Sequence, residues 1–214
     1  MFLYPSKPKE ISEPERLIAT LRDLGRLGNY RVQIKKNGCR ALPAVEEKVT
    51  IYDRAHTTLT VSVEKDWSPL KKIFPLNSLL DGELIGRKQG EVSNRLYLWD
   101  MPICGGEDLT KVSYAERYQE LHNLFIEFAS NHLMKINYNP EWDWVEFSNV
   151  IVGVAKCHHA EMWNGLLESV KFAGSTGENE GIVFKDITHH LSWDHWKTRD
   201  IKEQVKFLLK YAKK

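Results

Sequence analysis

Between residues 30 and 103 the chain is a succession of short alternating runs broken by turn residues, and this pattern most narrows the folds open to it. "YRVQIKK", "CRALPAV", "VTIYD", "TLTVSV", "SLLDGELIG" and "NRLYLWDMPI" each have the length and the β-branched or aromatic content of a strand. Segments of helical period flank them. "SEPERLIATLRDLG" has Pro14 near its start, acids in its first turn and Gly25 at its end, which predicts a short helix. "SYAERYQELHNLFIEFASNHL" predicts a longer helix capped by Ser113. Further on, "EFSNVIVGVAK" reads as a strand, "HHAEMWNGLLESVKFAG" as a helix stopped by Gly174, and "GIVFKD" and "HWKTR" as strands. "DIKEQVKFLLKYAKK" predicts a closing amphipathic helix. With no repeat and no linker-like tract, residues 1–214 predict one α+β domain on an antiparallel sheet with flanking helices.

Composition adds limits rather than identity. Hydrophobic residues make up 42% of the chain and charged residues 28%, enough for a core and unlike a disordered segment. No apolar run approaches the ~20 residues a membrane-spanning helix needs, and no signal-peptide pattern opens the sequence. Three unevenly spaced cysteines, Cys39, Cys104 and Cys157, predict a reducing, cytoplasmic setting without a disulfide framework. The net charge of +1 means that polyanion binding must come from a local basic surface.

In a strand over residues 30–35, Tyr30, Val32 and Ile34 share one face, and Arg31, Gln33 and Lys35 the other. Lys35 then points away from the apolar layer with Gln33, while Lys36 begins a turn at Asn37-Gly38 and Arg40 starts the return strand. By itself the Asn-Gly pair reads as a surface hairpin with solvated lysines. Other segments shift that balance: Asp81 and Glu83 in "LDGELIG", Trp99 and Asp100 in "LYLWD", Glu180 and Lys185 in "EGIVFKD", and Lys197 and Arg199 in "HWKTR". Cys157, His158 and His159 are adjacent and lack a second ligand pair at zinc spacing, so they predict no metal site.

In this order and spacing the segments resemble the motifs of the covalent nucleotidyltransferase superfamily, which comprises ATP-dependent DNA ligases, RNA ligases and mRNA capping enzymes. "KKNGCR" resembles the first motif, Lys-x-Asp-Gly-x-Arg, with Lys35, Gly38 and Arg40 matching and Asn37 in place of aspartate. "DGELIG", "LYLWD", "EGIVFK" and "WKTR" resemble the motifs that follow. "IYDRAHTTLT" resembles the Arg-containing segment between the first and third motifs, and "GGEDLTKVSYAERYQEL" the connector of DNA ligases. The resemblance covers residues 30–199, and it implies an antiparallel-sheet, ATP-grasp-like ligase core.

The resemblance also implies roles. Lys35 is the nucleophile that stores AMP, which then activates a 5′-phosphate for attack by a 3′-hydroxyl. Arg40 and Glu83 hold the ribose, and Trp99 stacks on the base. Gln33 stands where many DNA ligases carry a glutamate that reads adenine. Glu180 helps hold Mg²⁺ or Mn²⁺, and Lys185, Lys197 and Arg199 contact the phosphates. Glu180-Gly181, where capping enzymes carry Asp-Gly, points to a ligase acting with ATP. Residues 200–214 are too few for the OB-fold domain that usually follows, which implies a minimal, monomeric core. The expected partner is nicked duplex DNA, with RNA or mixed ends as the alternative and a catalytically silent binding module as a second one. Arg54 and a stripe of Lys202, Lys206, Lys210 and Lys214 on the closing helix are the candidate nucleic-acid contacts.

Overall fold

The alternating run at residues 30–36 does form a strand, and its two faces part company as the pattern predicts: Val32 and Ile34 are buried in a core, while Lys35 on the opposite face stays partly exposed. The computed structural model describes residues 9–85, 94–173, 178–191 and 204–208. In chain order these residues form β1 (Lys9–Ile11), α1 (Pro14–Asp23), β2 (Tyr30–Lys36), β3 (Gly38–Val45), β4 (Thr50–Tyr52), α2 (Val61–Glu64) and α3 (Leu70–Ile73). Then come β5 (Ser78–Ile85), β6 (Arg95–Cys104), β7 (Glu107–Asp108), α4 (Tyr114–Asn131), β8 (Asn137–Tyr138), β9 (Trp142–Glu146) and β10 (Ile151–Ala155). The last elements are β11 (His158–His159), α5 (Trp163–Ala173), β12 (Asn179–Asp186) and β13 (Gln204–Leu208).

Two sheets result. The first has the order β1-β13-β12-β2-β11, the second β4-β3-β5-β6-β10-β9-β8, with β7 paired to β6. The pairing is antiparallel except at β1–β13 and β6–β10, which are parallel. Ile18 and Leu21 of α1 and Leu166 and Val170 of α5 pack with Val32, Ile182 and Phe184 in one core. Leu121 and Phe125 of α4 pack with Trp67, Leu70, Leu84 and Leu98 in another. Helices thus cover one face of each sheet, and the opposite faces meet: the Tyr97 hydroxyl of β6 donates to the Ile34 carbonyl of β2 at 3.2 Å.

The predicted hairpin at Asn37-Gly38 is a crossing instead. β2 pairs with β12 and β11, whereas β3 pairs with β4 and β5, so the chain changes sheet at Asn37. The Asn37 N–H donates to the Glu178 carbonyl, 2.7 Å away. A Cβ on Gly38 would lie 2.2 Å from the Leu84 carbonyl oxygen, so this approach of β3 to β5 requires glycine.

Ser113 caps α4 as predicted, in a capping box closed by Glu116. Three other expectations fail. "TLTVSV" bends into α2, because the Ser62 hydroxyl accepts the Ile51 N–H and Val61 and Leu59 turn into the core. His158 and His159 pair with β2 before the helix begins at Trp163. The closing helix is, at Gln204–Leu208, a strand: its Phe207 is buried between the open edges of β12 and β1, and those partners outweigh helical propensity. Gly174, "HWKTR", Lys202, Lys210 and Lys214 lie outside the described residues.

Candidate active site in the cleft between the sheets

The two adjacent lysines of β2 have different fates. Lys36 is buried, its side chain 2% exposed, and it is ion-paired to Glu141 while its Nζ donates to Asn179 Oδ1 at 2.8 Å. Asn179 in turn donates to Glu141 at 2.8 Å, closing a three-membered polar cluster. Lys35, 23% exposed, reaches into the cleft, where its Nζ lies 2.5 Å from Glu180 Oε2. Glu180 arrives there by a bulge. Asn179 pairs with Lys36 and Gly181 with Lys35, so Glu180 is the extra residue of β12. Gly181 sustains the bulge at φ 151°, and a Cβ there would sit 1.9 Å from the Phe207 carbonyl oxygen.

The second sheet supplies the facing wall. Arg40 of β3 pairs in register with Glu83 of β5. Its guanidinium grips Asp81 through both Nε and a terminal nitrogen, and lies 4.7 Å from the Trp99 ring centre. Burial pushes the Asp81 and Glu83 carboxyls up, while Arg40 pulls both back down. Lys35 also lowers Glu83 and Glu180 raises it, which places all three in one electrostatic cluster.

Deeper in the cleft, on β12 of the first sheet, Lys185 is buried with its Nζ 5.4 Å from the Trp99 ring centre and 4.5 Å from that of Tyr114. It donates to the Tyr114 hydroxyl at 3.1 Å. Desolvation brings its pKa down to about 8, against the opposing pull of the Asp100 and Asp81 carboxylates. Gln33 completes this end, buried and hydrogen-bonded to the Cys157 sulfur at 3.0 Å. Asp100 is locked by Arg117 of α4 through bonds of 2.9 and 3.0 Å, and Arg117 also donates to the Val112 carbonyl at 2.7 Å. The connector helix is thereby fixed to the Trp99 strand.

Of the predicted residues, the structure brings Gln33, Lys35, Arg40, Glu83, Trp99, Glu180 and Lys185 to this cleft. Arg54 is exposed on the turn after β4, where the Asp53 carboxylate accepts two backbone N–H groups. Lys206 lies in β13 rather than on a helix, paired to Glu10 at 3.2 Å, so the predicted lysine stripe does not form there. Lys197, Arg199, Lys202 and Lys210 lie outside the described residues. Sequence reasoning missed Glu141, Asn179, Tyr114, Cys157 and Arg117 as contributors, and only the Glu-Arg pair of the connector carried any signal for one of them.

Among the described residues no three His, Cys, Asp or Glu side chains converge as a metal cage. The Glu180 carboxylate contacts Lys35, and Glu83 interacts with Lys35 electrostatically. One or two carboxylates, completed by phosphate oxygens and water, are what Mg²⁺ takes in nucleotide sites, so these residues fit the ion. No helix among the described residues is long and apolar enough to cross a membrane.

No family model and no curated protein matches this sequence. Solved structures do. A mycobacterial DNA ligase D complexed with ATP and MES is 15% identical, with a TM-score of 0.53 over 84% of this chain and 54% of that one. A Lig E DNA ligase is 15% identical, with a TM-score of 0.56 over 97% of this chain and 69% of that one. An archaeal ATP-dependent RNA ligase is 12% identical, with a TM-score of 0.55 over 97% of this chain and 48% of that one. The chain spans about half the length of the ligase D and archaeal proteins. Its two facing sheets, with Lys35 at their crossing, have the fold of the nucleotidyltransferase adenylation core of ATP-dependent DNA and RNA ligases.

Proposed function

We propose that this chain is an ATP-dependent polynucleotide ligase that stores AMP on Lys35 and joins 5′-phosphate to 3′-hydroxyl ends, with nicked duplex DNA as substrate. The observation that carries the reading is the accessible Lys35 amine held against Glu180, beside a wall made by Arg40, Glu83 and Trp99. In the first step Lys35 Nζ attacks the α-phosphorus. A P–N bond forms, the bond to the bridging oxygen breaks, and pyrophosphate leaves. Attack uses the nitrogen lone pair, so one ammonium proton must leave, and solvent water at the partly exposed Nζ takes it. Glu180 would serve as a ligand for Mg²⁺ or Mn²⁺. A divalent ion bound there would offset triphosphate charge. Arg40 exchanges its stacking on Trp99 for the nucleotide, whose base takes the aromatic face. Gln33 reads the base, and Arg40 and Glu83 hold the ribose. Lys197 and Arg199 are assigned to the phosphates, and Arg54 to the nucleic acid, on motif position alone.

Incubation with α-labelled ATP and Mg²⁺, then denaturing electrophoresis, tests the first step. Label is expected on the wild type, none on Lys35→Ala, and none after chelation. Label that survives Lys35→Ala defeats the assignment, and its absence from wild type with both ATP and GTP favours a silent binding module. The similarity to an archaeal RNA ligase over 97% of this chain supports a second reading, RNA or mixed-end joining. A panel of nicks with DNA or RNA on each side of the break separates the two. Preference for single-stranded RNA ends rejects the DNA reading.

A further inference from the structure

Behind Gln33 lies a chain of polar groups that does more than fill space. Gln33 precedes Lys35 by two residues on the same face of β2, so the two side chains leave the strand roughly 6.6 Å apart. Gln33 is buried, and its Nε2 donates to Cys157 Sγ at 3.0 Å. Its Oε1 lies 3.4 Å from the Tyr114 hydroxyl. That hydroxyl has a single proton, for which the Trp99 carbonyl, an acceptor only, competes at the shorter distance of 2.9 Å. Lys185 meanwhile donates to the Tyr114 oxygen at 3.1 Å. The carboxamide is therefore anchored through its nitrogen, while its oxygen makes the longer and weaker contact.

We infer, resting on the adenylation reading above, that Cys157 is a positioning residue that sets nucleobase choice: by engaging Gln33 Nε2 it leaves Oε1 to accept from the exocyclic amine of a 6-aminopurine. A carboxamide is nearly symmetric in shape, and only its hydrogen-bond partners decide which end faces which way. A 6-oxopurine presents an acceptor where the amine would be, and meets another acceptor. Without the sulfur, the carboxamide is free to turn over and offer its N–H₂ instead. Burial also pushes the Cys157 thiol up, so the sulfur stays neutral and acts by hydrogen bonding rather than by charge.

The test uses the full chain, ATP and inosine triphosphate, and two readouts: equilibrium binding followed by tryptophan fluorescence, and the rate of covalent labelling. Wild type prefers ATP. Cys157→Ala lowers the ATP-to-inosine ratio by about 3- to 10-fold, the worth of one hydrogen bond. Cys157→Val, which fills the space without an acceptor, does the same in a packed background. Cys157→Ser retains an acceptor and holds the ratio within about 2-fold of wild type. In a Gln33→Glu background, where both terminal oxygens accept, Cys157→Ala no longer changes the ratio. Wild-type indifference to the base, or an unchanged binding ratio in both Cys157→Ala and Cys157→Val, overturns the inference. Binding ratios that follow this pattern in a protein that never takes the label support the inference and remove the adenylation reading.

Discussion

Lys35 Nζ and Glu180 Oε2 stand 2.5 Å apart because one residue of β12 is unmatched in β2. Had the ladder continued in register, Glu180 would face the other side of the sheet, since side chains alternate along a strand. The bulge therefore places an acid beside the candidate nucleophile. Glu180→Gln keeps the shape and removes the charge. Lysyl-AMP formation at saturating ATP and Mg²⁺ should fall by about 100-fold, the scale of losing one preorganised electrostatic group. Quench-flow labelling measures it, and a rate near wild type would exclude Glu180 from the chemistry.

Lys36 should behave as a structural residue. Its ammonium neutralises Glu141 in a nearly dry site, so Lys36→Ala leaves a carboxylate without its counter-charge. Removing one member of a buried pair costs roughly 3–5 kcal/mol. Urea denaturation should show that loss, whereas whatever remains folded should still take label on Lys35.

The Asp100–Arg117 pair predicts strong non-additivity. Both side chains are buried, and two hydrogen bonds join them. Arg117→Leu or Asp100→Leu alone should destabilise by about 3–5 kcal/mol, and the double change by much less than the sum, because no buried charge is then left over. A double-mutant cycle in urea gives the coupling directly.

Lys185 predicts a pH dependence with a definite sign. Its pKa near 8 in the folded chain is below the ordinary 10.5 of an unfolded one. Below pH 8 the group is charged in both states, and the folded state bears the burial cost, ~3 kcal/mol from the size of the displacement. Between pH 8 and 10.5 the unfolded chain holds the proton more tightly, so stability rises with pH. Lys185→Met should accordingly be more stable than wild type at pH 7, by about 1–3 kcal/mol. The gap should close as pH climbs through that window. Taking the difference between the two proteins cancels the opposing titration of Tyr97 and Tyr118, whose phenols burial pushes up in both.

Local rules carried much of the fold. The alternation of β2, the paired "DGEL" and "LYLWD" strands and the Ser113 capping box all follow from spacing and residue type. Where tertiary partners decided, the pattern misled. Asn37-Gly38 has hairpin chemistry, yet β2 and β3 take partners in different sheets. Gln204–Leu208 falls within a run whose lysines, Lys202, Lys206, Lys210 and Lys214, have helical spacing, yet two edges claim it as a strand. The site divides in the same way. Motif order named Lys35, Glu180 and Trp99, but Glu141 and Cys157 come from unrelated segments, and only folding brings them beside Lys36 and Gln33. Nothing in the sequence separates a solvated Lys36 from a buried one.

β13 joins the first sheet by lying between β12 and the three-residue β1, which it meets in parallel. Almost the whole length of the sequence separates those two strands, so loop-closure entropy makes their meeting one of the slower events in assembly. Until it happens, the outer flank of β13 presents bare N–H and C=O groups, a template for another molecule's strand. The strand that delivers Glu180 is thus shielded early by β13, its near neighbour in sequence, and the margin open to intermolecular aggregation passes outward to β13 itself, which β1 seals last.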